Sequence, residues 1–188
     1  MKKKIILASG SERRKALLEK AGVDFDVVVS DYEEDMNLPL LPRELAMFLS
    51  KGKAERVAEK YADAIIISAD TFVVCDEHLL GKPYTPERAK ETLQTLSGRS
   101  HSVITGFTVM KKEGPSISRV QETTVWIKEL TDKMIDDYIA TGEPLDKGGS
   151  YAAQGLGAIL VERIDGDIEN VVGLPTKEVL EVLKEFGF

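Results

Sequence analysis

The chain has 188 residues, 43% hydrophobic and 30% charged, which is enough apolar material for a buried core in a single globular domain spanning residues 1–188. With 25 Lys and Arg against 32 Asp and Glu, its net charge of −7 argues against a dedicated nucleic-acid binder. Its only cysteine, Cys75, excludes an internal disulfide, and no apolar run approaches the ~18 residues of a membrane span.

The N-terminal Lys2-Lys3-Lys4 is followed by too short an apolar stretch for a signal peptide, so a cytoplasmic location is expected. Lys3 to Ala8 reads as a short buried strand. Ser9-Gly10-Ser11 breaks it, and a helix is expected from Glu12 to Ala21, with Ser9 and Glu12 at capping-box spacing and Gly22 as its stop. A hydroxyl-rich turn between a strand and a helix N-terminus points free backbone N–H groups outward and suits an anion. Arg13 and Arg14 beside it offer planar forks for phosphate oxygens, and like charges at that end of a helix call for a compensating anion.

Val23 to Val29 alternates as a strand does, and an acidic segment follows at Asp31, Glu33, Glu34 and Asp35. Pro42 fits the start of a helix to about Tyr61 that carries Lys51 and Lys53. Ile65 to Ser68 reads as a second buried strand ending on Asp70, with Phe72 to Cys75 continuing or pairing with it. A carboxylate at a strand end near a phosphate cradle serves as metal ligand or general base, two roles that are hard to separate beside Mg²⁺. Glu33 is the candidate second metal ligand from the acidic segment. Oxygen ligands favour Mg²⁺ or Mn²⁺.

Gly81-Lys82-Pro83 forms a rigid turn that limits the backbone at Lys82. Thr85 caps a helix from Pro86 to about Leu96. A long β-hairpin is expected over His101–Lys112 and Ser118–Leu130, then a helix after Thr131. Gly142 to Gly157 is a glycine-rich polar loop, and long loops often carry function. Gln154 within it offers a donor and an acceptor, the complement of a uracil or thymine edge. Val171-Val172 reads as a last short strand, and Pro175 opens a C-terminal helix. Helices alternating with strands around an antiparallel hairpin imply an α/β fold with a mixed, strongly twisted sheet and flanking helices. No Walker-A or dinucleotide glycine pattern is present, and His78 and His101 are not spaced as a metal pair.

Together, Leu7-Ala8-Ser9-Gly10-Ser11-Glu12-Arg13-Arg14, Ser68-Ala69-Asp70-Thr71, Gly81-Lys82-Pro83, Leu96-Ser97-Gly98-Arg99-Ser100-His101, Ser102-Val103-Ile104-Thr105-Gly106, Gly142-Glu143-Pro144-Leu145-Asp146-Lys147, Gln154-Gly155-Leu156-Gly157 and Val171-Val172-Gly173-Leu174-Pro175 resemble, in order, the motifs of Maf-like nucleotide pyrophosphatases. Glu12 stands where proline is frequent in that family, and Ala152-Ala153 occupies a variable place.

The resemblance implies an α/β fold related to the inosine triphosphatases, with a cleft between two lobes. It implies hydrolysis of a nucleoside triphosphate to the monophosphate and pyrophosphate with a divalent metal cation, as house-cleaning of nucleotide pools. Asp146-Lys147 and Gln154 resemble the branch acting on dTTP and UTP rather than that acting on 7-methyl-GTP. By the same resemblance Asp70 is the proton acceptor, Arg13, Thr71 and Gln154 occupy specificity positions, and Ser9, Arg14, Lys53 and Lys82 contact phosphate. The expected partner is the nucleotide, with no nucleic acid and no membrane. A homodimer is an open expectation that no stretch marks. The alternative is a nucleotide-binding regulator of septum formation with little turnover.

Overall fold

The computed structural model describes residues 4–188. Among them the elements run β1 (Ile5–Leu7), α1 (Glu12–Lys20), β2 (Asp26–Val27), α2 (Pro42–Ala58), β3 (Ile65–Cys75), β4 (His78–Leu80), α3 (Pro86–Leu96), β5 (Ser100–Met110), β6 (Ser116–Ile127), α4 (Asp132–Ala140), β7 (Val161–Asp165), α5 (Ile168–Val172) and α6 (Thr176–Glu185). The strands form one sheet in the order β2-β1-β3-β5-β6-β7, with β4 on β3. β1 runs parallel to β2 and β3, whereas β4 is antiparallel to β3 and β7 to β6. The α/β fold with a mixed sheet is therefore as expected.

The chain divides into two compact units: Met1–Thr71 with Thr105–Gln121 and Gly173–Phe188, and Phe72–Ile104 with Glu122–Val172. β3, β5 and β6 each begin in one unit and end in the other. In the first unit Ile6 of β1 and Ile66 of β3 pack with Ala54, Val57 and Ala58 of α2. Two glycines allow close approach there. A Cβ on Gly106 would lie 2.3 Å from the Ala46 carbonyl carbon, so β5 rests directly on the backbone of α2. A Cβ on Gly52 would meet the Tyr32 ring at 2.4 Å, which explains a glycine inside a helix. In the second unit Leu93 and Leu96 of α3 and Ile135 and Tyr138 of α4 pack against Val103, Val125 and Ile127 of the sheet.

Several boundaries differ from expectation. The first strand is Ile5–Leu7, the predicted Lys3 lying outside the described residues. The strand expected over 23–29 keeps only Asp26–Val27. The α1 cap is Ser11, whose hydroxyl accepts from the Arg14 amide at 3.4 Å, not Ser9. Asp70 does not end a strand. β3 runs on unbroken through it, because Thr71, Phe72, Val73 and Val74 are strong strand formers. β3 then turns into β4 through Asp76 and Glu77, both at positive φ (48° and 65°), a two-residue hairpin turn that the sequence reading did not contain.

Val171-Val172 is not a strand. It closes α5, a helical turn opened by Asp167, whose carboxylate accepts from the Glu169 amide at 2.8 Å. The last strand is instead β7. The glycine-rich loop is not featureless either. It contains short 3₁₀ turns at Glu143–Asp146, Gly148–Ser150 and Gly155–Leu160.

Candidate active site

The turn from β1 into α1 places Ser9 and Arg14 beside the middle of β3 in the first unit. Ser9 is buried; its hydroxyl accepts from the Ser11 amide at 3.2 Å and from Arg14 Nη1 at 3.3 Å. Because Ser11 caps the helix, Ser9 is free to take the guanidinium. Arg14 Nη2 donates to Thr71 Oγ1 at 3.1 Å and Nε donates to the Gly173 carbonyl at 2.9 Å. Thr71 Oγ1 also lies 3.0 Å from Thr105 Oγ1.

Every one of these Arg14 partners is neutral, and Arg14 makes no ion pair among the described residues. Burial draws its guanidinium below its ordinary proton affinity, opposed by the fields of Asp70 and Glu34. A cation removed from water and left without a counter-charge is unfavourable by itself and favours an anion. The turn thus carries a fixed positive charge whose hydrogen-bond partners are all neutral.

Asp70 completes the cluster. It is 9% exposed. Its Oδ1 accepts from the Thr71 amide at 3.1 Å. Lys53 Nζ, reaching in from α2, stands 3.2 Å from Oδ2, but off hydrogen-bond geometry, so Oδ2 is buried without a hydrogen bond. The same ammonium meets Glu34 Oε1 at 2.8 Å. Lys53 therefore sits between two carboxylates, its position further set where its carbonyl accepts from Ser30 Oγ at 3.2 Å.

Among the described residues no group of three or more His, Cys, Asp or Glu is placed to hold a metal unaided. Asp70 Oδ2 and Glu34 Oε1 are nevertheless two hard oxygens that share one ammonium, at 3.2 and 2.8 Å from Lys53 Nζ. That donor set fits Mg²⁺, which takes one or two carboxylates and completes its shell with water and phosphate oxygens. Glu33 is exposed and joins neither Lys53 nor Asp70, whereas its neighbour Glu34 does. Arg13 is exposed on α1.

In the second unit Lys82 is exposed, on a loop tied at both ends. Gly81 O accepts from the Gly149 amide at 3.3 Å, and the Tyr84 amide donates to Leu145 O at 3.0 Å. Gln154 is exposed at the start of the last 3₁₀ turn. So Ser9, Arg14, Lys53, Asp70 and Thr71 come together in the first unit, while Lys82 and Gln154 belong to the second. Sequence reasoning missed Glu34, Thr105 and the Gly173 carbonyl. Thr105 and Gly173 did lie within quoted motifs, but as motif members without a role.

A strand-to-helix turn bearing Arg14, with the Asp70 carboxylate of β3 paired to the Lys53 ammonium of α2, defines a mixed α/β protein that gathers fixed charges of both signs beside one turn. The family model described as Maf-like protein matches residues 4–186, and the chain belongs to that family. It is 50% identical to a dTTP/UTP pyrophosphatase of Bacillus cytotoxicus over 98% of this chain and 96% of that one. It is 48% identical to a dTTP/UTP pyrophosphatase of Bacillus cereus over 98% and 91%. Among solved structures, a HAM1 protein from Coxiella burnetii aligns over 67% of this chain and 73% of its own, at 14% identity and a TM-score of 0.46.

Proposed function

We propose that this protein hydrolyses dTTP and UTP between the α and β phosphates, yielding the monophosphate and pyrophosphate. The observation that carries the reading is the near-full-length identity to two dTTP/UTP pyrophosphatases, joined to a buried Asp70 carboxylate whose Oδ2 makes no hydrogen bond.

Asp70 accepts the proton of the attacking water through Oδ2. Lys53, 3.2 Å from Oδ2, holds that carboxylate in place. Arg14, fixed by Ser9, Thr71 and Gly173, sets a positive charge against the phosphate oxygens without reorganising at the moment of reaction. Lys82 adds a second cation for the leaving pyrophosphate. Gln154 pairs with the pyrimidine edge, and Arg13 and Thr71 occupy the remaining specificity positions. Asp70 with Glu34, or with the adjacent Glu33, would hold a divalent cation, which supplies charge neutralisation on the phosphate oxygens when bound. An intact Asp70 favours turnover over a purely regulatory role, and an acidic chain favours a small phosphorylated ligand over nucleic acid.

The test is pyrophosphate release from dTTP, UTP, CTP, GTP, ATP and 7-methyl-GTP, with Mg²⁺ and with EDTA. Metal-dependent release favouring dTTP and UTP is the expected outcome. Preference for 7-methyl-GTP overturns the substrate, and no release from any nucleotide overturns the reaction.

A further inference from the structure

Gln154 stands on an exposed stretch of backbone. An exposed carboxamide discriminates one base edge from another only if its oxygen and nitrogen are held in register. The second unit contains a device that holds the backbone on both sides of Gln154, built from Glu143 and Tyr138.

Glu143 follows the turn at Gly142 (φ 76°) that ends α4, and its side chain folds back over the loop. Its Oε2 accepts from the Gly157 amide at 2.8 Å and from Tyr138 Oη at 2.8 Å, and its Oε1 accepts from the Leu156 amide at 3.2 Å. Tyr138 Oη in turn accepts from the Ala152 amide at 3.1 Å. Backbone amides on both flanks of Gln154, at 152, 156 and 157, are thus collected by two side chains. Successive amides on one carboxylate form an anion nest, and such charge-assisted bonds are about twice as strong as neutral ones.

The glycines are cut to fit this carboxylate and phenol. Gly155 lies at φ 79°, and a Cβ there would fall 2.6 Å from Glu143 Oε1. A Cβ on Gly157 would fall 2.5 Å from Tyr138 Oη. Burial first, then Glu143, hold the Tyr138 phenol well above its ordinary range, so it remains a donor at working pH. Glu143 makes no ion pair among the described residues, so its charge is spent on the loop.

We propose that Glu143 and Tyr138 are positioning residues that set base selectivity by holding the 152–157 backbone, and with it the Gln154 side chain, in one conformation. The proposal rests on the reading of Gln154 given above. Glu143→Gln is the informative change: a carboxamide keeps the shape but turns an NH₂ donor toward one of the two amide donors. Tyr138→Phe keeps the ring and removes the hydroxyl, which guards against a Glu143 variant that fails to fold.

Two readouts decide it. Amide exchange over 152–157 is expected to rise in both variants while α6 and β1 stay protected. The ratio of kcat/KM for dTTP over CTP is expected to fall about tenfold, chiefly through KM for dTTP, because the polar match is lost. In a Gln154→Ala background, Glu143→Gln should leave that ratio where Gln154→Ala put it, since residues acting as one device are not additive. Unchanged exchange overturns the proposal, as does raised exchange with an unchanged ratio, or an equal further loss in the Gln154→Ala background. The Gln154 reading fails separately, and takes this proposal with it, if the unmutated protein discriminates and Gln154→Ala discriminates equally well. The proposed reaction fails by itself if the unmutated protein releases no pyrophosphate.

Discussion

Arg14, Asp70 and Lys53 are the three charged groups at the centre of the proposed phosphate site. Arg14 is held by three neutral acceptors, and Lys53 is shared by two carboxylates, so the cluster holds fixed charges of both signs at known places. Asp70→Asn keeps the size of the side chain and removes the proposed proton acceptor. Single-turnover assays are expected to show kcat down by about 10²-fold or more, with nucleotide still bound in equilibrium titration. Near-normal turnover in that variant refutes the role of Asp70.

His101 gives a residue-level prediction about stability. It is buried on β5, 2.8 Å from Tyr151 Oη, and burial pushes its imidazole down to about 4. The unfolded chain, near 6.5, binds the proton that the folded chain refuses. Stability is therefore full above pH 6.5 and is lost as pH falls toward 4, by roughly 2–4 kcal/mol over that window. Denaturant midpoints measured from pH 7 to 4 should fall accordingly, and a His101→Gln variant should show a flatter slope. An equal slope in both proteins removes His101 from the account.

At the scale of elements, α2 positions Lys53 and lies against β5 only because residue 106 has no side chain. Gly106→Ala drives a methyl group into the backbone of Ala46 and Met47, which no rotamer change relieves. Thermal or denaturant unfolding is expected to show a loss of about 3 kcal/mol, at the upper end for overpacking, with activity falling as α2 carries Lys53 away from Asp70. Much of this level was legible beforehand. α1, α2, α3, the long hairpin and the C-terminal helix followed from periodicity, caps and prolines. What was not legible depended on partners distant in sequence. Val171-Val172 has strand composition, yet Asn170 Nδ2 donates to Val103 O and to Thr123 Oγ1, both at 3.0 Å, and fixes a helical turn. Ser9 and Ser11 are equally good caps locally. Only Arg14, drawn to Thr71 and Gly173, separates their roles. Glu34 differs from Glu33 by one position, and the lysine it meets is on another element.

At the scale of the whole molecule, both compact units are discontinuous in sequence, and β3, β5 and β6 are each divided between them. Neither unit owns a complete set of strands. Unfolding is therefore expected as a single transition, with calorimetric and van't Hoff enthalpies in a ratio near one. Two resolved transitions would mean that the units hold together independently of their shared strands.

The bond from Arg14 to Gly173 joins the beginning of the first unit to its last segment, 159 positions along the chain. Translation delivers Arg14 early and Gly173 late. A nascent chain thus carries its arginine for most of its synthesis without the carbonyl that aims it. The arrangement proposed for catalysis is assembled only once the later residues have emerged. A chain halted before Gly173 is expected to leave nucleotide pools untouched, so an interrupted synthesis yields an inert fragment rather than an unregulated hydrolase.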